Sequence, residues 1–149
     1  MVDVSAKPVS SREARARGAV RMSAQALEAI MLGNLAKGEV VATARIAGIQ
    51  AAKRASGLIP MCHPLILTLI HVDCVPDRRL PGMRIEARVR CDGKTGAEME
   101  ALTAVAVAAL TVVDMAKSAD RWMTIEGIEL VEKRGGRSGD QRRPATSCS

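Results

Sequence analysis

Small apolar and charged residues alternate through residues 12–22 (REARARGAVRM), which turns successive side chains to opposite faces and predicts a strand. Residues 66–75 and 83–91 read the same way, joined by the polar turn PDRRLPG, and TIEGIELVEK (124–133) predicts a last strand. Between these runs the period lengthens. Ser23 stands where an N-cap belongs for a helix over 24–32, and Gly33 ends it. A second helix over 39–55 repeats Val40, Ala44, Ala47, Ala51 and Ala52 at helical spacing. Pro60 and Pro64 stiffen the loop LIPMCHPL (58–65), and the turn GKTG (93–96) leads into the longest helix, over 97–118. This order predicts an α+β, ferredoxin-like βαββαβ chain with an additional helix, its antiparallel sheet covered on one face by helices. One domain is expected over 1–140, with a flexible C-terminal tail over 141–149.

Composition narrows the classes. There is no Phe or Tyr and a single Trp, Trp122, so the core is built from Ala, Val, Leu, Ile and Met. Modules that read RNA or single strands by stacking bases on aromatics are excluded on that ground. No apolar run reaches the ~18 residues of a membrane span, and the N-terminus lacks a signal-peptide core, which predicts a soluble, cytoplasmic protein.

The net charge is +6, and its placement is uneven. Residues 1–60 hold nine Lys/Arg against four Asp/Glu, residues 61–131 hold eight against ten, and residues 132–149 hold five against two. The two ends are therefore basic, and a single domain can bring them together around a phosphate-rich ligand. A nucleic-acid partner is not expected, because no helix-turn-helix or zinc finger is present. The four cysteines, Cys62, Cys74, Cys91 and Cys148, form no CxxC. The pairs His71/Cys74 and Cys62/His63 fit no zinc spacing, so no metal site is assigned.

Candidate chemistry gathers on the longest helix. At 100° and ~1.5 Å per residue, Glu100 and Asp114 lie within ~40° of each other but about 21 Å apart along the axis. One chain cannot close both on a small group. Asp114 and Lys117 are neighbours one turn apart. An ordinary surface ion pair there contributes ~0–0.5 kcal/mol, but LTAVAVAALTVVDMAK is nearly charge-free, so the pair is expected to be partly desolvated and able to exchange protons. His63 sits in the proline-stiffened loop, and Cys62 beside it reads as a small buried residue rather than a nucleophile. Lys37-Gly38 precedes a helix N-terminus, a phosphate-friendly arrangement without a Walker motif. Gly135-Gly136-Arg137-Ser138-Gly139 reads either as an anion-wrapping loop or as flexible tail.

Three blocks together resemble a known family: MVDVSAK (1–7), KGEVVATARIAGIQAAKRASGLIPMCHPL (37–65) and KTGAEMEALTAVAVAALTVVDMAK (94–117), with GGRSGD (135–140) fitting as well. They resemble the MoaC family of molybdenum cofactor biosynthesis over nearly the whole chain. The resemblance implies a lyase that converts a cyclised dihydro-GTP to cyclic pyranopterin monophosphate and releases pyrophosphate. It further implies a ferredoxin-like homohexamer, a trimer of dimers, with sites between subunits. Carried onto this sequence, it makes Asp114 and Lys117 catalytic. Met61, Cys62, His63, Glu98, Met99, Glu100, Lys37 and Lys133 become substrate-binding, with His63 and Glu100 orienting the ring and the two lysines holding the triphosphate. No protein-bound cofactor is implied beyond a Mg²⁺ ion on the triphosphate. Many members show an LTH-type segment ahead of MVDVSAK and a Lys where this chain has Arg137. The competing class is a ferredoxin-like regulatory or ligand-binding domain that oligomerises without chemistry, since fold does not fix function. Asp114, Lys117, His63 and Glu100 together favour the enzyme.

Overall fold

A computed structural model describes residues 1–144; Cys148 and the remainder of the expected tail lie outside the described residues. Strand β1 (Ser10–Arg21) turns Ala14, Ala16 and Val20 into the core and Arg15, Arg17 and Arg21 to solvent, as alternation requires. Helix α1 (Ala24–Met31) follows, with Ser23 Oγ accepting from the Ala26 N–H at 3.2 Å. Helix α2 spans Val40–Lys53 and α3 spans Ala55–Leu58. Strands β2 (Leu67–Asp77) and β3 (Gly82–Gly93) form a hairpin, helix α4 spans Glu98–Ala116, and β4 spans Thr124–Arg134.

The sheet order is β2-β3-β1-β4 plus a short added strand β5 (Gln141–Arg142), all pairs antiparallel. Since β1 and β2 both run against β3, they are parallel to each other with β3 between them. This is the split βαβ arrangement that the element order predicts. The core lies under α2 and α4, where Met83, Ile85, Val89, Val72 and Val20 meet Ala101, Val105, Ala108 and Val112. The opposite sheet face is charged. Glu13 there takes Arg88 at 2.8 Å and Arg90 beside it, and these guanidiniums hold its carboxyl down from the usual 4.5 to about 2 against the opposing effect of burial.

Three expectations need correction. The helix expected over 39–55 breaks at Arg54, whose φ of −111° leaves the α region, and restarts as α3. The tail does not begin at 141, because Gln141 and Arg142 pair with Lys133 and Glu132 on the outer edge of β4, and Arg143 reaches Glu129 at 2.8 Å. An open strand edge is a ready partner for following chain. Finally, α4 is long and apolar enough to cross a membrane, with 19 residues and a mean hydropathy of 1.7, although no such run was expected. Its apolarity has a local cause: one side packs on the sheet and another on α2, so ten of its residues are buried.

Helices α2 and α4 approach closely because small residues line the contact. Gly48 is buried inside α2, and a Cβ there would stand 2.9 Å from the Ala104 carbonyl oxygen and 3.1 Å from Val72. Gly48→Ala is therefore expected to destabilise by about 1–3 kcal/mol, although alanine is intrinsically the better helix former by ~1 kcal/mol. Urea denaturation checks this. A variant more stable than wild type would show that the interface yields freely.

Candidate active site

The residues singled out by the sequence fall into two groups at opposite ends of α4. At its C-terminal end, Asp114 receives Lys117 Nζ on Oδ1 at 2.8 Å and Lys37 Nζ on Oδ2 at 2.5 Å. Lys117 comes from the next turn of the same chain segment, and Lys37 from the loop between α1 and α2, seventy-seven residues away in sequence. The hydrogen bond from Lys117 first, and that from Lys37 second, hold the Asp114 carboxyl down to about 2. The expected desolvation is absent: the Asp114 and Lys117 side chains are 55% and 59% exposed. Their helix has a third, outward side, which also carries the exposed Leu110, and among the described residues nothing buries it. Asp114 is thus an anion at neutral pH, clamped between two ammonium groups.

At the N-terminal end, Glu98 and Glu100 occupy the first turn of α4, where the helix dipole favours carboxylates. Glu100 is 2% exposed. Its Oε1 accepts from the Cys62 thiol at 3.4 Å, while its Oε2 is buried with no protein partner. Burial raises the Glu100 pKa. Burial, reinforced by the Glu100 charge, pushes the Cys62 thiol up to about 11, so Cys62 serves as a thiol donor rather than a nucleophile. His63 is half-buried, with Nε2 2.9 Å from the Val2 carbonyl oxygen, and Met61 and Met99 are exposed. The His71/Cys74 pair does not converge, since His71 is exposed and Cys74 faces the core.

Glu98 borders a cleft of about 830 Å³ whose lining also includes Lys7, Arg12, Lys94, Lys133 and Arg137. Five cations thus surround one carboxylate. The N-terminal segment, β1 and the GGRSGD loop supply most of them, so the two basic ends of the chain do meet here. The site is built rather than loose. Arg12 donates to the carbonyls of Gly93 (3.3 Å) and Lys94 (3.4 Å), Lys94 donates to the Ser5 carbonyl at 2.7 Å, and Lys133 pairs with Ser138 Oγ at 2.5 Å. Asp140 Oδ1 accepts from the Gly135 N–H at 2.9 Å, closing the loop. Gly135 and Gly136 have φ of 82° and 79°, and a Cβ at either would collide with the Ser11 carbonyl or the Arg12 guanidinium. The flexible alternative for residues 135–140 is therefore set aside. Lys7, Arg12 and Lys94 were not singled out by sequence reasoning; the excess charge at the chain ends is a signal for Lys7 and Arg12, while Lys94 lies in a stretch of net negative charge. Lys37 and Lys133, expected to share one triphosphate, lie at opposite ends of α4 within the single chain.

The orphaned carboxyl of Glu100 carries a stability consequence. With its pKa raised above the usual 4.5, the native chain holds a proton that the unfolded chain releases, so stability falls as pH rises above 4.5. Glu100→Gln is expected to be as stable as wild type or more so at pH 8, with no such advantage at pH 4. Thermal melts at the two pH values check this. Equal destabilisation at both would mean that the carboxyl is well solvated.

Fold and site together define a ferredoxin-like α+β domain with a basic cleft at one end of α4 and a lysine–aspartate–lysine cluster at the other. The chain belongs to the MoaC family, whose model matches residues 1–136. It is 60% identical over 139 residues to the cyclic pyranopterin monophosphate synthase of Methylobacterium sp. (strain 4-46), covering 93% of this chain and 87% of that one. The protein of the same name from Methylobacterium nodulans is 59% identical over 139 residues, with the same coverage. That from Brucella ovis is 56% identical over 140 residues, covering 94% of this chain and 85% of the relative.

Proposed function

We propose that this protein is a cyclic pyranopterin monophosphate synthase, the lyase of molybdenum cofactor biosynthesis that converts (8S)-3',8-cyclo-7,8-dihydroguanosine 5'-triphosphate to cyclic pyranopterin monophosphate with release of pyrophosphate. The observation that carries the reading is the pairing of a five-cation cleft with the Lys37–Asp114–Lys117 cluster. Lys133, Arg12 and their neighbours hold the triphosphate. A substrate hydroxyl attacks the α-phosphorus, the new P–O bond closes the cyclic phosphate, and the α–β anhydride bond breaks to expel pyrophosphate. Charge grows on the phosphoryl oxygens during that step, and preorganised cations lower its barrier. His63 and Glu100 orient the ring, Glu100 through the Cys62 thiol that bonds to it. Asp114 and Lys117 move protons during ring opening and rearrangement, with Lys37 sharing the carboxylate. A Mg²⁺ ion brought in on the triphosphate would meet Glu98, the carboxylate of the cleft, and no step above depends on it.

Two half-sites about 21 Å apart along one helix cannot close on one substrate within a chain. We therefore read the working form as a homo-oligomer, a hexamer built as a trimer of dimers, in which the cleft of one subunit faces the Asp114 cluster of another. The exposed apolar residues Ile46, Leu58, Ile66 and Leu110 supply surface for such contacts. The working place is the cytoplasm, and nucleic acid and membrane are not partners. The direct test is pyrophosphate release from the cyclised dihydro-GTP. Protein that binds this substrate but releases no pyrophosphate would overturn the reading in favour of a ligand-binding domain.

A further inference from the structure

Trp122 is the chain's one aromatic residue among Phe, Tyr and Trp, and it is 86% exposed. Left in water, its indole adds little to the core, although such a ring buries roughly 150–250 Å² where it packs. The backbone that carries it is nonetheless tied down. The Trp122 backbone N–H donates to Asp120 Oδ1 at 2.8 Å, and Asp120 Oδ2 accepts from the Ser23 backbone N–H at 2.7 Å, tying the turn after α4 to the start of α1. Trp122 also lines a cavity of about 430 Å³ whose wall includes Lys117, the ammonium held on Asp114. That volume suits a small ligand group. An aromatic face stacks on a flat heterocycle, and a neighbouring ammonium donates to its carbonyl or ring nitrogen.

We propose that Trp122 is the stacking platform for the fused ring of the substrate, holding that ring against Lys117 and Asp114. The inference rests on the function proposed above, and it adds a positioning residue to the end of α4 where proton transfer takes place. In the shared site the ring oriented by His63 and Glu100 of one subunit then lies on Trp122 of another, while the basic cleft holds the phosphates.

The test uses the intact protein and its single tryptophan, whose emission comes from this position alone. GTP is the probe, because it carries a guanine ring and a triphosphate, and its binding is scored independently by calorimetry. The expected result is water-exposed emission that GTP quenches saturably and inorganic triphosphate leaves unchanged. In steady-state assays Trp122→Ala should raise KM for the cyclised substrate about ten-fold or more with kcat within about two-fold, and Trp122→Phe should recover most of the loss. GTP that binds without quenching, GTP that does not bind, or Trp122→Ala kinetics like wild type would each overturn the proposal. So would blue-shifted emission indifferent to GTP, which would mean that the indole packs against another subunit. Failure of wild-type protein to release pyrophosphate would overturn the function instead, and the GTP titration would then decide the stacking role alone.

Discussion

Asp114→Asn should lower turnover by about 10²–10⁴-fold while leaving the fold and assembly intact. The side chain is exposed, and among the described residues its carboxylate bonds to two lysines, so little packing is lost with its charge. What is lost is the anion that gathers Lys37 and Lys117 at one point. Lys117→Ala should give a comparable loss for the complementary reason, because Asp114 then keeps only Lys37. Pyrophosphate release under saturating substrate gives the rate, and a thermal melt beside it shows whether the protein is still folded. Turnover like that of wild type in either variant would remove the cluster from the chemistry.

Mixing inactive chains should restore activity. His63 stands at one end of α4 and Asp114 at the other, so a site shared between subunits takes each from a different chain. Asp114→Asn chains mixed with His63→Ala chains then form hybrid dimers in which one of the two sites is intact. Equal amounts with free exchange should return about a quarter of wild-type activity, measured at sub-saturating substrate where the His63→Ala defect in binding shows fully. No recovery after confirmed exchange would put both residues in one chain. A monomer in light scattering would remove the shared site altogether.

Legibility differed by the kind of signal. Strands β1 and β3 were readable because every second residue is small or apolar and the others are charged, as in EARARG and MRIEARVR. Helix α4 was readable from length and composition, and its end-to-end separation of Glu100 and Asp114 already implied a divided site. The break at Arg54 was not readable, because nothing in AAKRASG differs locally from a continuing helix. Strand β5 depends on an edge that exists only once the sheet has formed. The Lys37 contact joins residues seventy-seven apart, and spacing on one helix cannot reveal it. Arg12 stands at the start of β1 on the same face as Ala14 and Ala16, and only the loop around Gly135 and Gly136 makes it a lining residue. The exposure of Asp114 was misjudged because an apolar helix has as many sides as it has neighbours, and α4 has fewer neighbours in the single chain than its sequence suggests.

Helix α4 also sets a gauge for the enzyme. Both half-sites are mounted on one rigid rod of 19 residues, so their spacing is counted in helical turns rather than adjusted by loops. Removing one residue between Ala101 and Val113 would shorten the rod by only ~1.5 Å but swing Asp114 by ~100°, out of reach of Lys37. The loops that carry Lys37, His63 and Arg137 are matched to that rod. The central helix can change letters, but it cannot change length.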